Sequence, residues 1–392
     1  MLSRSGWQWL WGSVHSMAID RRQLIAAIAG AVAFRSFGVN AAQAEMFIAC
    51  RIAGGTGGSA SGDIIGDAEL AIFDANGQDL FSTRLPARGH DIALRPDGAE
   101  AVIFARRPGD WAVVFDLQAR VIKHTILAST GRHFYGHGSY SEDGRWLFAT
   151  ENDVTSGNGV LGTYDVHDGY RRVAEHTSGG IGPHDIAVMP DGGRVIANGG
   201  VRTHPDTGRT PLNLATMRSN LTVINKTGAI SNLELPAALR QNSIRHLAVA
   251  ADGAVVFGCQ WEGDATEAPD LIGVMEPSGA MRMLSMPDDD LFALKNYIGS
   301  IALDTTGQII LATAPKGNSL VRFDRHSGRF LGRDSMGDVC GVRAFAGSGH
   351  FILSSGKDGL AILDSSNAPK RMASGAAAAQ AFIWDNHVRM IS

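Results

Sequence analysis

Cysteine is scarce: the chain of 392 residues has three, Cys50, Cys259 and Cys340. An odd, sparse set is no disulfide framework. Without a C-x-x-C pair the zinc-ribbon and c-type haem patterns fail as well. Cys50 and Cys259 stand inside apolar runs and read as small core residues. There is no Gly-x-Ser-x-Gly elbow. His133 and His137 are four apart, but no helix is expected there, so they are not a zincin pair. The acidic loop Pro287-Asp-Asp-Asp290 lacks the alternating ligands of a calcium loop. Beyond residue 44 no stretch is long and apolar enough to span a membrane. Basic residues do not dominate, with 35 Lys and Arg against 39 Asp and Glu, so nothing points to a nucleic-acid surface.

What is present begins with an export signal. Arg21-Arg22 precedes an apolar run, Leu24 to Phe34, and Ala42-Gln-Ala44 supplies a small-residue cleavage site. The paired arginines point to the twin-arginine route. Residues 1–44 are therefore expected to be removed, leaving 45–392 as one periplasmic domain. Removing four Arg and one Asp leaves 31 basic and 38 acidic residues.

The domain is built on a repeat. Gly182-Pro-His-Asp-Ile-Ala-Val-Met-Pro-Asp-Gly-Gly-Arg-Val-Ile-Ala-Asn198 reads as a strand, an Asp-Gly turn and a second strand. The unit recurs at His90–Gly98, His137–Gly144 and Arg245–Gly253, each followed by an apolar strand, and more weakly at Ser300–Gly307 and Gly341–Gly349. Strand-only repeats of this period mark a β-propeller. Units starting near His90, His137, His184, Arg245, Gly299 and Cys340 give six blades. Met46 to Arg51 looks like a second strand without a first, and the tail, Phe382-Ile-Trp384 and Val388 to Ile391 after the Ala-rich link Ala376 to Ala379, supplies it. The expected fold is all-β: a seven-bladed propeller with one blade closed by both termini. Strand hidden in the glycine-rich piece Gly54 to Gly62 would make an eighth blade, against the low strand preference of glycine.

In a propeller, residues just before each inner strand and just after each second strand share one channel mouth. The first position holds Arg132, His133, His137, His184, Asp185, Arg245 and His246. The second holds Arg106-Arg107, Glu151, Asn152, Asp153, Asn198, Arg202, His204, Gln260 and Glu262. Apart from Arg106-Arg107, these are the candidate ligand-binding residues, since binding groups gather at one end of a rigid scaffold. The opposite mouth is left with turn chemistry. Inward-facing His90, His137, His184 and His246 would suit iron, copper or zinc. Their spacing resists this: His90 and His184 stand eight residues before the turn glycine, His137 and His246 seven, and neighbours on a strand face opposite sides. The alternatives are a structural role locking strand entry, or anion binding with Arg132, Arg202 and Arg245. The Pro-rich insertion from Gly199 to Asn220 can hang over the same mouth as a lid through Arg202, His204, Asp206 and Arg209.

Gly131-Arg-His-Phe-Tyr-Gly-His-Gly138, Thr150-Glu-Asn-Asp153, Gly180-Ile-Gly-Pro-His-Asp185, Ala197-Asn-Gly-Gly-Val-Arg-Thr-His-Pro-Asp206, Leu212-Asn-Leu214 and Ser243-Ile-Arg-His-Leu-Ala-Val249 together resemble the bacterial family called domain of unknown function 1513. More broadly the chain is similar to the YVTN- and quinoprotein-like propellers. The resemblance implies an exported propeller set among imelysin-like and peroxidase-like periplasmic partners, a context of iron acquisition. Three readings follow. The first is a ligand-binding, metal-binding or partner-docking protein. The second is a metal-dependent hydrolase or redox enzyme with Glu151, Asp153 or His184 as base. The third is a purely structural interaction module.

Overall fold

Each expected Asp-Gly or Thr-Gly turn closes with the same bond. The amides of Gly98, Gly144, Gly192, Gly253 and Gly307 donate to the carbonyls of Arg95, Ser141, Met189, Ala250 and Asp304, each at 2.9 Å. All five glycines have positive φ, between 67° and 88°, which a side chain would resist. The turns join strands of a propeller, seen in a computed structural model that describes residues 45–56, 65–346, 349–364, 370–371 and 382–391.

Seven four-stranded antiparallel sheets form the blades. Their inner strands are Phe382–Ile391 (blade 1), Gly89–Leu94 (blade 2), Arg132–Tyr140 (blade 3), Pro183–Val188 (blade 4), Asn242–Val249 (blade 5), Ser300–Leu303 (blade 6) and Val339–Ala344 (blade 7). Each inner strand packs against the inner strands of the two neighbouring blades, so the ring is closed. Blade 1 is completed as the sequence suggests: Phe382–Ile391 pairs antiparallel with Met46–Thr56. The second and third strands are apolar on both faces because a blade is covered on both sides. Outer strands such as Val121–Leu127 alternate between exposed and half-buried residues, with Ile126 alone buried in this one. The core therefore lies between blades. One cluster joins Val195, Ala197 and Leu221 of blade 4 to Phe257 and Val274 of blade 5 and Ile310 and Phe323 of blade 6.

Three details differ from the sequence reading. The inner strands of blades 3, 4 and 5 begin at Arg132, Pro183 and Asn242, so Arg132, His133, His137, His184, Asp185, Arg245 and His246 lie within them and not before them. The acidic loop at Asp288 is the first turn of a short helix, Asp288–Ala293, where carboxylates meet the positive end of the helix dipole. The tail is one continuous strand across Asp385, Asn386 and His387. Of the glycine-rich piece Gly54 to Gly62, the first three residues end the strand Met46–Thr56 of blade 1, and the rest, like the link at 376–379, lies outside the described residues. The insertion after Asn198 is irregular apart from two single turns, Pro205–Thr207 and Leu214–Thr216.

Candidate metal centre

Five blades each send one histidine into the channel: His387, His90, His137, His184 and His246, all buried. The ring centroid of His137 lies 4.9 Å from His90 and 4.7 Å from both His184 and His387. His246 stands 4.9 Å from His184 and 5.2 Å from His387. The spacing mismatch disappears because each strand bulges at this level. In blade 2, His90 and Asp91 lie between the pairs Gly89–Ala105 and Ile92–Ile103. In blade 3, Tyr135, Gly136 and His137 lie between Phe134–Glu151 and Gly138–Ala149. The register also shifts between Pro183 and Asp185, and between Ile244 and His246. In blade 1, Asp385, Asn386 and His387 face the single residue Cys50. A bulge re-aims a side chain that the two-residue period would turn away. Blade 6 pairs without a bulge and sends no histidine.

Carboxylates hold the rings from behind. His90 Nδ1 lies 2.7 Å from Asp385 Oδ1. Asp385 also accepts from Arg88 Nε at 2.6 Å and from Arg106 Nη1 at 3.1 Å. His137 Nδ1 lies 3.1 Å from Asp91 and 3.3 Å from Asp185. Asp91 is clamped in turn by Arg389 at 2.6 Å. A carboxylate on one ring nitrogen orients the imidazole and leaves the other nitrogen free to ligate, the usual outer shell of a metal-binding histidine.

Burial penalises the charged form of every ring. It pushes His90 down to about 3 despite Asp385. It pushes His184, His246 and His387 well below the usual imidazole range, with repulsion from His137 adding to it. For His137 burial also lowers, but Asp185 and Asp91 outweigh it and raise the ring to about 9. Burial opposes the ionised forms of Asp91 and Asp385 too, yet Arg389 and His387, and Arg88 with Arg106, keep both well below the carboxylate range. Neutral imidazoles are the ligating form, so His90, His184, His246 and His387 stand ready, and His137 would ligate only on giving up a proton to the incoming ion.

The unused nitrogens converge. His137 Nε2, His184 Nδ1, His387 Nε2 and both nitrogens of His246 are buried without a hydrogen-bond partner among the described residues. His90, His137 and His184 each offer an atom within 4.8 Å of the others, and so do Asp91, His137 and His387. Each orphaned polar atom costs about 1–3 kcal/mol. A cation with imidazole preference, such as zinc, copper or iron, would satisfy several at once. The residues therefore fit a transition metal.

The profile of a family described as "Protein of unknown function (DUF1513)" matches residues 83–391. This chain belongs to that family. The match takes in the inner strands of all seven blades, so the DUF1513 chain carries its five histidines within the matched region. No curated protein matches it. Among solved structures it is similar to hydrazine synthase of Kuenenia stuttgartiensis, at 14% identity over 76% of this chain and 90% of that one, with a TM-score of 0.57. It is also similar to a functionally unknown protein from Desulfotomaculum acetoxidans, at 11% identity over 82% and 95% of the two chains, with a TM-score of 0.54. At such identities the likeness is one of propeller fold.

The candidates from sequence separate into two groups in this DUF1513 propeller. His90, His184, Arg245, His246, Gln260 and Glu262 line one cavity of about 220 Å³ at the expected mouth. His137 and Asp185 lie in the cluster beside it. The others are placed elsewhere. Glu151 is buried inside blade 3, accepting from Tyr164 at 2.7 Å and Arg172 at 2.8 Å. Asp153 caps its own loop through the amides of Thr155 and Ser156 and pairs with Arg132 at 3.0 Å. Neither is positioned as a base for the cavity. Asn198 ties Ser178 to Thr222 inside the sheets. Arg202 lies outward over Gly157 and reaches the Thr155 carbonyl at 3.4 Å. His204 accepts from the Asp206 amide at 3.2 Å. His133, with Asn152 at its Nε2, and His204 line a closed niche with Arg107 and Arg209. Of the insertion, Arg209 alone reaches the cavity.

Sequence reasoning missed His387, Asp385 and Asp91. A signal existed: Asp385-Asn-His387 is a polar break between apolar Phe382–Trp384 and Val388–Ile391, as His90-Asp91 is in blade 2. The opposite mouth also holds more than turns. A cavity of about 700 Å³ opens there, walled by residues such as Ile186, Leu247 and Val342, and it reaches His246 and His387. The histidine cluster therefore divides the channel.

Proposed function

We propose that this protein is a metal-binding propeller that holds one first-row transition-metal ion among His90, His137, His184, His246 and His387. The carrying observation is the set of buried, unpartnered ring nitrogens from separate blades, backed by carboxylates. The carboxylates orient His90 and His137, and the apolar surroundings keep the other rings neutral and ready to bind. The metal would act as a Lewis acid or redox centre if the protein is an enzyme, and as cargo if it is a binding protein. The reading includes export to the periplasm by the twin-arginine route and, through the family setting, a place in iron acquisition beside an imelysin-like or peroxidase-like partner. One preparation tests it. Protein isolated from the periplasm should have an intact mass beginning at Glu45 and contain about one equivalent of iron, copper or zinc by elemental analysis. The variant H137A/H184A/H246A should fold and contain none. A folded wild-type chain that takes up no such ion on titration removes the metal reading, and an uncleaved cytoplasmic chain removes the export reading.

A further inference from the structure

The cavity above the histidines is crowded with positive charge. Arg106, Arg107, Arg209, Arg245 and Lys316 line it, against the single carboxylate Glu262. That carboxylate is already engaged by Arg245 at 3.1 Å. Asp385, which pairs with the cavity-lining Arg106 and His90, is taken up by these two and by Arg88. Several donors remain unused: Arg106 Nε, Arg107 Nη1 and Arg245 Nε are buried and unpartnered among the described residues. Arg107 and Lys316 rest over aromatic rings, 5.2 Å from Tyr135 and 4.4 Å from Tyr297, which supports them without neutralising them. Arg209 has no ion-pair partner among the described residues and is brought here by the insertion after Asn198. Burial, and then repulsion from Arg106 and Arg107, lowers its guanidinium to about 9.

We infer that this cavity is a binding site for a small, multiply charged oxyanion, a phosphate or a di- or tricarboxylate, gripped by Arg107, Arg209 and Arg245 over the histidine cluster. Like charges in a desolvated space repel, and a charged donor left unpaired is more costly than a neutral one. A bound anion removes both costs and can use the planar, bidentate geometry of guanidinium. The cavity volume of about 220 Å³ admits such an ion and is too small for a nucleotide or peptide. Arg209 comes from an irregular loop, so the site is completed from above by the element that the long insertion supplies.

The inference stands apart from the metal reading, and its test uses both chelator-stripped and metal-loaded full chain. Inorganic phosphate and citrate are titrated calorimetrically at low salt into wild type, R107Q/R209Q and R202Q. Among the described residues neither Arg107 nor Arg209 holds a carboxylate, so the double variant orphans no described buried anion; its melting temperature checks its folding. Binding of either probe to stripped protein, weakened about a hundredfold in R107Q/R209Q and changed by less than about twofold in R202Q, is the expected result. Binding of phosphate alone or citrate alone names the class. Three results overturn the inference: no binding of either probe at millimolar concentration, equal binding by R107Q/R209Q, or binding that occurs only with metal and survives in the double variant. The last would mean direct ligation of the metal without the arginines.

Discussion

Two buried carboxylates show how single residues divide the work of this fold. Asp385 is 2% exposed and surrounded by two guanidiniums and an imidazole, so it fixes a ring in the channel. Glu100 lies between blades 2 and 3 and only holds the structure together. It accepts from Tyr170 at 2.7 Å and from Lys123 at 2.5 Å. Burial opposes its ionised form, but Lys123 and Tyr170 prevail and lower its pKa. A carboxylate depressed on folding stabilises above its unfolded value, about 4.3, and that contribution is lost as pH falls through the folded value. Wild type should therefore melt higher than Glu100→Gln at neutral pH, with the gap narrowing below about pH 4. Melting curves at several pH values measure this; a gap independent of pH would mean that packing alone separates the two proteins. Glu151 is legible in the sequence as polar and near a mouth, yet its contacts with Tyr164 and Arg172 make it a blade residue. Nothing in one-dimensional spacing distinguishes a carboxylate that faces a cavity from one turned into the sheet.

At the scale of elements, the strand Phe382–Ile391 has two functions. Its apolar residues close the ring, and its bulge supplies Asp385 and His387. Trp384, 1% exposed, packs on Phe73 at 5.1 Å and Phe382 at 6.2 Å between ring centroids. Cys340 supports the bulge from blade 7, its Sγ 3.3 Å from the carbonyls of Trp384 and Asp385. Truncating a buried aromatic costs about 3–5 kcal/mol. Trp384→Ala should lower unfolding stability by that amount in urea titrations, and should also weaken metal uptake because it loosens the bulge. Full metal affinity in a destabilised Trp384→Ala chain would show that the bulge holds without its anchor. The closing strand was readable from the sequence because Phe382, Ile383, Trp384 and Val388 form apolar runs where a strand was missing. Its bulge was not, because an extra residue breaks the two-residue period that such a reading depends on.

For the whole molecule, the histidine cluster matters because it links blades far apart in the chain. His90 and His387 are separated by nearly the whole domain and lie 4.7 Å apart. A metal bound there would act as a clasp across five blades, binding the closed ring and not the open chain. Ligand that favours the native state stabilises it by about 2.7 kcal/mol at a hundred times its dissociation constant. Metal-loaded protein should thus melt several degrees above chelator-treated protein, and His184→Ala/His246→Ala should lose most of that increment. Calorimetric scans with and without chelator measure it. Identical melting of loaded and stripped wild type would place the ion, if bound, outside the cluster.

The repeat, the turns and the closure of the ring follow from the order of residues alone, because apolar alternation and Asp-Gly or Thr-Gly pairs act over a few positions and each blade needs covered faces. Which polar side chains meet was decided by the tertiary structure. Convergence of five imidazoles depends on bulges, and on carboxylates and guanidiniums supplied by neighbouring blades across the channel, and those are relations between strands that no single strand encodes.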